Sequence, residues 1–200
     1  MKTKLFLLVG FFVLVLSAWG WAQQNTKGKR AVNATPSQTQ TAAKKILVAY
    51  FSHSGNTRVI AEQIHSLVGG ELFEIVSVSP YPTDYNACVE QAQKEQKASA
   101  RPKLKVKLEN AKSYDIVFIG YPNWWGSFPM PVAAFLEEND FSGKTLVPFC
   151  THEGSRLGRS VADLTKMCPK SKILEGLAIR GRSVKTAHED VAQWLKKIGL

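Results

Sequence analysis

From Lys44 onward, unbroken apolar runs alternate with stretches in which apolar residues return every three or four positions. Ile46, Leu47, Val48, Ala49, Tyr50 and Phe51 form the first run, and Ile116, Val117, Phe118 and Ile119 anchor another at 114–120. Runs without polar alternation mark strands covered on both faces. Further strands are predicted at 72–78, 145–150 and 172–179. Between them, Ile60, Ile64, Leu67 and Val68 repeat at helical spacing before Gly69 and Gly70 stop the helix. Thr83 or Asp84 is placed to cap a helix at about 85–98. Pro131 suits the first turn of a helix that carries Val132, Phe135 and Leu136 and ends before Gly143. Leu157, Val161 and Leu164 mark a helix closed by Pro169, and Val184, Ala187, Val191, Leu195 and Ile198 lie on one face of the last. The resulting order, βαβαβαβαβα, predicts an α/β three-layer sandwich with a five-stranded parallel sheet in the order 2-1-3-4-5. Ligands of such sheets bind beyond the carboxyl ends of the strands, so the loops after strands one, three and four carry the information.

Two stretches depart from this alternation. Residues 103–108 alternate Lys with Leu, Val and Leu at period two. That pattern suits a solvated extended piece at an edge, or a docking stripe for an acidic partner. The chain also opens with Lys2 and Lys4, an apolar run at 5–16, and the small-x-small triplet Gly20, Trp21, Ala22. These are the parts of a signal peptide over 1–22, which predicts an exported protein, periplasmic or secreted. The alternative is an uncleaved anchor, since 5–22 reaches the lower limit for spanning a bilayer. Residues 23–43 are rich in Gln, Asn, Thr, Ser and Ala and are expected to be a disordered linker. The folded domain is expected over 44–200.

The net charge of +10 invites a nucleic-acid reading, but its placement argues against one. Seven of the 26 bases precede Ile46, in a segment without acids, leaving 19 bases against 16 acids and a net +3 beyond it. No nucleic-acid motif accompanies the basic segment. Cys88, Cys150 and Cys168 are odd in number, which excludes full pairing, and form no Cys-x-x-Cys, so they are expected to be inert thiols, and no metal site is expected.

The loop after strand one reads Ser52, His53, Ser54, Gly55, Asn56, Thr57. Small hydroxyl residues and a glycine at a helix start let backbone N–H groups converge on a phosphate, though a plain helix cap has the same composition. The loop lacks the lysine of a triphosphate-binding loop, which points to a mononucleotide. After strand three come Pro122, Asn123, Trp124, Trp125 and Gly126. Neighbouring tryptophans face opposite ways, so one of them is available to stack on a flat heterocycle unless both pack beneath the loop. After strand four, Thr151, His152, Glu153, Gly154 and Ser155 offer amides and polar groups to a ring edge, or form a solvated loop.

Together these loops resemble the flavodoxin family. Tyr50-Phe51-Ser52-His53-Ser54-Gly55-Asn56-Thr57 is similar to its phosphate-binding signature. Tyr121-Pro122-Asn123-Trp124-Trp125-Gly126 is similar to a family branch with a Tyr-Pro-x-Trp-Trp-Gly loop, and Tyr81-Pro82-x-x-Tyr85 and 148–155 extend the likeness. The resemblance implies a flavodoxin-like fold and non-covalent FMN. It implies phosphate contacts from Ser52, Ser54, Gly55, Asn56 and Thr57, with His53 in the same loop. Pro122, Asn123, Trp124, Trp125 and Gly126 are implied at the ring, with Thr151, His152, Gly154 and Ser155 nearby. His53 and Glu153 stand where the family usually has small or polar residues, and the domain lacks the acidity of electron-carrier flavodoxins. The function expected is that of an oxidoreductase passing electrons through FMN to a small acceptor such as a quinone. The alternatives are an electron shuttle between proteins and a binding module without flavin. The flavin carries the chemistry, so no side chain is assigned as catalytic.

Overall fold

The computed structural model describes residues 43–200. The expected leader, and the expected linker up to residue 42, lie outside the described residues. Strands β1 (Ile46–Tyr50), β2 (Glu71–Glu74), β3 (Ile116–Pro122), β4 (Thr145–His152), β5 (Lys172–Ile173) and β6 (Leu177–Arg180) form one parallel sheet. Helices α1 (Asn56–Val68), α2 (Tyr85–Lys97), α3 (Met130–Glu138), α4 (Ser160–Met167) and α5 (His188–Lys197) flank it. The strand order is 2-1-3-4-5, with β6 also paired to β4. This is the α/β architecture and strand order predicted from the apolar runs, and the flavodoxin-like fold that the family resemblance implies.

Strand periodicity splits the core in two. Leu47, Ala49, Val117 and Ile119 pack with residues of α2, α3 and α4, including Ala92, Val132, Phe135 and Leu164. Val48, Tyr50, Ile116 and Phe118 pack on the other face with Ile60 and Ile64 of α1 and Val191, Trp194 and Leu195 of α5. Asp84 caps α2, its carboxylate accepting the Ala87 N–H at 2.9 Å. Among the described residues, no helix is long and apolar enough to cross a membrane. Cys88, Cys150 and Cys168 are free and buried.

Several boundaries differ from expectation, each for a physical reason. The second strand stops at Glu74, although the Ile75 N–H still reaches Tyr50 O at 2.7 Å. Its continuation turns to the extended segment at 103–105: Val78 N–H donates to Lys103 O, and Lys105 N–H to Val76 O, both at 2.8 Å. The alternating segment is thus an added edge, with Leu104 buried and Lys103, Lys105 and Lys107 exposed. Both β3 and β4 run two residues further than predicted, pairing Tyr121 with Cys150 and Pro122 with Thr151. Pro122, Thr151 and His152 are therefore strand residues, not loop residues.

The fifth strand is broken. Lys172 and Ile173 pair with Thr145 and Leu146, whereas Leu177 pairs with Phe149, one residue out of step. The break lies opposite Pro148, which has no N–H to donate on the side where Leu146 O accepts the Leu174 N–H. The sheet absorbs the lost bond as a bulge. The last helix is also shorter than predicted, because Val184 sits in a preceding 3₁₀ turn, Gly181–Thr186.

Candidate functional site

The site lies at the carboxyl ends of β1, β3 and β4, as the topology requires. After β1 the chain turns directly into α1, with Gly55 in the left-handed region (φ 89°) at the N-cap. The Ser52 hydroxyl accepts the Arg58 N–H at 3.3 Å. Among the described hydrogen bonds, none is donated by the backbone N–H groups of Ser54, Gly55, Asn56 or Thr57. These groups stand unpaired at the positive end of the helix dipole, a position that favours negative charge. Thr57 is turned inward, its hydroxyl paired with that of Thr151 at 2.9 Å in a buried contact. Thr57 thus spends its hydroxyl contact inside the protein, whereas Ser52, which only accepts, keeps its O–H to donate beside the backbone amides.

After β3, Trp124 and Ser127 exchange backbone bonds of 2.9 and 3.1 Å across a two-residue turn. Trp125 (φ 52°) and Gly126 (φ 81°) occupy the two left-handed positions that such a hairpin needs. Trp124 is half-buried against the rings of Phe51, His53 and Tyr81, with centroids at 5.7, 5.6 and 5.0 Å. Trp125 points outward, its indole N–H donating to Val89 O at 3.1 Å. The two tryptophans do face opposite ways, one packing and one toward the mouth of the site. Arg159 secures the hairpin by donating its backbone N–H to Gly126 O at 2.8 Å and its guanidinium to Trp125 O at 3.0 Å. Ser127 adds a 2.6 Å bond to Asp163.

After β4, Arg180 donates through both Nε and Nη2 to the Glu153 carbonyl, at 3.1 and 2.8 Å. Asn123 donates its amide N–H to Thr151 O at 2.8 Å and its side-chain amide to Arg156 O at 2.6 Å. Two buried polar atoms on this wall have no partner within the described residues: Asn123 Oδ1 and His152 Nδ1. Burial, and then the charges of Arg180 and Arg156, hold the His152 imidazole below its ordinary pKa, with Glu153 opposing them.

These walls enclose one cavity of about 740 Å³. Of the residues expected from sequence, His53, Ser54, Asn56, Pro122, Asn123, Trp124, Trp125, Thr151, His152, Gly154 and Ser155 line it. Ser52, Gly55, Thr57 and Gly126 stand behind the lining and shape its loops. One wall was missed: Thr83, Tyr85, Cys88, Val89 and Ala92, from the start of α2. Tyr85, Cys88, Val89 and Ala92 recur at helical spacing, so the stripe itself is readable in the sequence. Which cavity it faces is set by tertiary packing. Glu153 and Gly181 complete the lining. Among the described residues, no cluster of His, Cys, Asp or Glu could hold a metal ion.

The fold and cavity define a doubly wound α/β protein with a mononucleotide-sized site at its strand ends. Residues 45–198 match the family model described as Flavodoxin, and the chain belongs to that family. Among solved structures it is similar to a protein from Bacteroides eggerthii assigned as a flavoprotein, at 38% identity and a TM-score of 0.70, covering 78% of this chain and 99% of that one. A protein of the same assignment from Bacteroides uniformis is 33% identical, with a TM-score of 0.69 and coverages of 76% and 98%. A Lactobacillus acidophilus flavoprotein solved in complex with FMN shares the fold at 24% identity, with a TM-score of 0.59 and coverages of 72% and 98%. A search of curated proteins returned no match. The cofactor expected from the sequence, FMN, agrees with this family. It also fits the unpaired amides of 54–57, the aromatic wall, and the orphaned Asn123 Oδ1 and His152 Nδ1.

Proposed function

We propose that the chain is an FMN-dependent oxidoreductase that passes electrons to a small acceptor such as a quinone. The observation that carries this reading is a single cavity joining unpaired helix-start amides to a braced aromatic hairpin. The amides of Ser54, Gly55, Asn56 and Thr57 would hold the terminal phosphate, their neutral donors suiting a dianion without a fixed lysine. Trp124, Trp125 and the backbone from Pro122 to Gly126 would bound the ring, held stiff by Arg159 and Asp163. Asn123 Oδ1 and His152 Nδ1 would meet polar atoms of the ligand and so lose their desolvation cost. When bound, FMN supplies the electron chemistry, and the protein supplies its position and electrostatic surroundings.

The apolar run at 5–16 and the small residues at 20 and 22 support export as part of the same proposal. The test of the redox reading is steady-state turnover. The full chain, incubated with FMN and freed of excess, is given NADH or NADPH and a quinone. Catalytic consumption of the nicotinamide is expected. A yellow protein that turns over neither nucleotide would instead be an electron shuttle between proteins. A protein that leaves FMN fluorescence unquenched would sink the flavin reading altogether.

A further inference from the structure

A second, smaller cavity of about 430 Å³ opens beside the first, lined by His152, Gly154, Arg156, Ala178 and Arg180. It shares His152 and Gly154 with the larger cavity, so the two meet across the end of β4. Two features mark it as more than a surface dent. First, its two guanidiniums are without acidic partners: among the described ion pairs, neither Arg156 nor Arg180 contacts a carboxylate. Arg180 spends Nε and Nη2 on one carbonyl, which fixes its plane and leaves Nη1 without a described partner. Second, Arg156 is held in a left-handed conformation (φ 52°) that non-glycine residues seldom adopt. Its carbonyl is pinned there by the Asn123 amide at 2.6 Å and the Cys150 thiol at 3.2 Å. The strain places a long cationic side chain on a cavity wall. His152 contributes to the walls of both cavities.

We propose that Arg156, Arg180 and His152 form a receiving pocket for the oxyanion group of a small second ligand, a carboxylate or a phosphate, bound edge to edge with the occupant of the larger cavity. This deepens the proposed function, because it makes the small redox partner of bound FMN an anionic molecule. Planar guanidinium forks match the geometry of such oxyanions. Burial and the two arginines favour a neutral imidazole at His152, against Glu153, so the arginines carry the positive charge.

The test uses the full chain loaded with FMN, so that the phosphate loop is filled. Inorganic phosphate and sodium acetate are titrated separately against chloride at matched ionic strength. The Arg180 Nε–H and the His152 ring are followed by NMR. Saturable shifts are expected with one or both oxyanions and not with chloride. Affinity should fall about tenfold in Arg156→Gln and in Arg180→Gln, the loss of one charge-assisted contact. FMN retention in Arg156→Gln, whose side chain has no described contact with the larger cavity, should stay within about twofold. Shifts that match chloride, or that persist unchanged in both variants, would overturn the pocket. Loss of FMN in both variants would also overturn it, assigning the arginines to the nucleotide. If the wild-type chain fails to take up FMN, the flavin reading fails, while the same titration still reports on the pocket.

Discussion

Thr57 and Thr151 stand 94 residues apart in sequence, yet their buried hydroxyls meet at 2.9 Å beneath the floor of the cavity. One anchors the start of α1 and the other the end of β4, so the contact ties the loop after β1 to the opposite wall. A buried hydroxyl that loses its partner bears the full desolvation cost, whereas removing both partners together is close to neutral. Thr57→Val should therefore destabilise the protein by about 1–3 kcal/mol, and Thr57→Val with Thr151→Val should recover most of that loss. Urea denaturation of the four proteins in the cycle checks it. A double variant no more stable than the worse single variant would show that the hydroxyls are not coupled. Sequence reading finds threonines in both loops because their residue type fits a ligand site. It cannot find the pairing, since the contact depends on how two distant strand ends are brought together. The same holds for Asn123, whose amide is readable as a polar group but whose bond to the Arg156 carbonyl is not.

Elements end where local chemistry stops supporting them, and the hairpin after β3 shows how closely the site depends on such endings. Its turn residue Gly126 offers its carbonyl to the Arg159 N–H, and this brings the backbone of Gly158 close. Gly158 itself is left-handed (φ 55°), and a Cβ there would run into the Gly126 carbonyl oxygen. Neither backbone can yield without breaking the brace between the tryptophan hairpin and α4. Gly158→Ala should cost roughly 1–3 kcal/mol and loosen the aromatic wall. A lowered melting temperature, together with increased solvent quenching of tryptophan fluorescence, would report this; a variant with unchanged values in both would mean the hairpin is held elsewhere. The strand cores, by contrast, were legible, because continuous apolar runs fix them. Their ends were not: Tyr121 and Pro122 read as loop residues, yet they continue β3 because Cys150 and Thr151 extend β4 beside them. The break between β5 and β6 follows from Pro148 in a neighbouring strand, so no property of 172–179 alone announces it.

At the scale of the molecule, the order of strands was readable because alternation of buried runs and amphipathic stretches leaves few topologies. Knowing that order placed three loops at one end of the sheet and so gathered most of the cavity lining in advance. It did not place the first turns of α2 there, because a helix over a sheet edge chooses its tilt by packing rather than by sequence spacing. The cavity therefore draws its walls from both halves of the domain, from His53 to Gly181. A ligand that bridges them stabilises the folded state alone, by an amount set by mass action. At a free FMN concentration one hundred times its dissociation constant, that amounts to about 2.7 kcal/mol. For a domain of this size it raises the melting temperature by roughly 5–10 °C. Riboflavin has the same ring without the phosphate, so it leaves the amides of 54–57 unpaired and should raise the transition much less at equal concentration. Calorimetry of the full chain against both ligands measures the two halves of the site separately. Equal shifts would take the phosphate role away from the loop after β1, and no shift with FMN would mean that the walls do not close on a flavin.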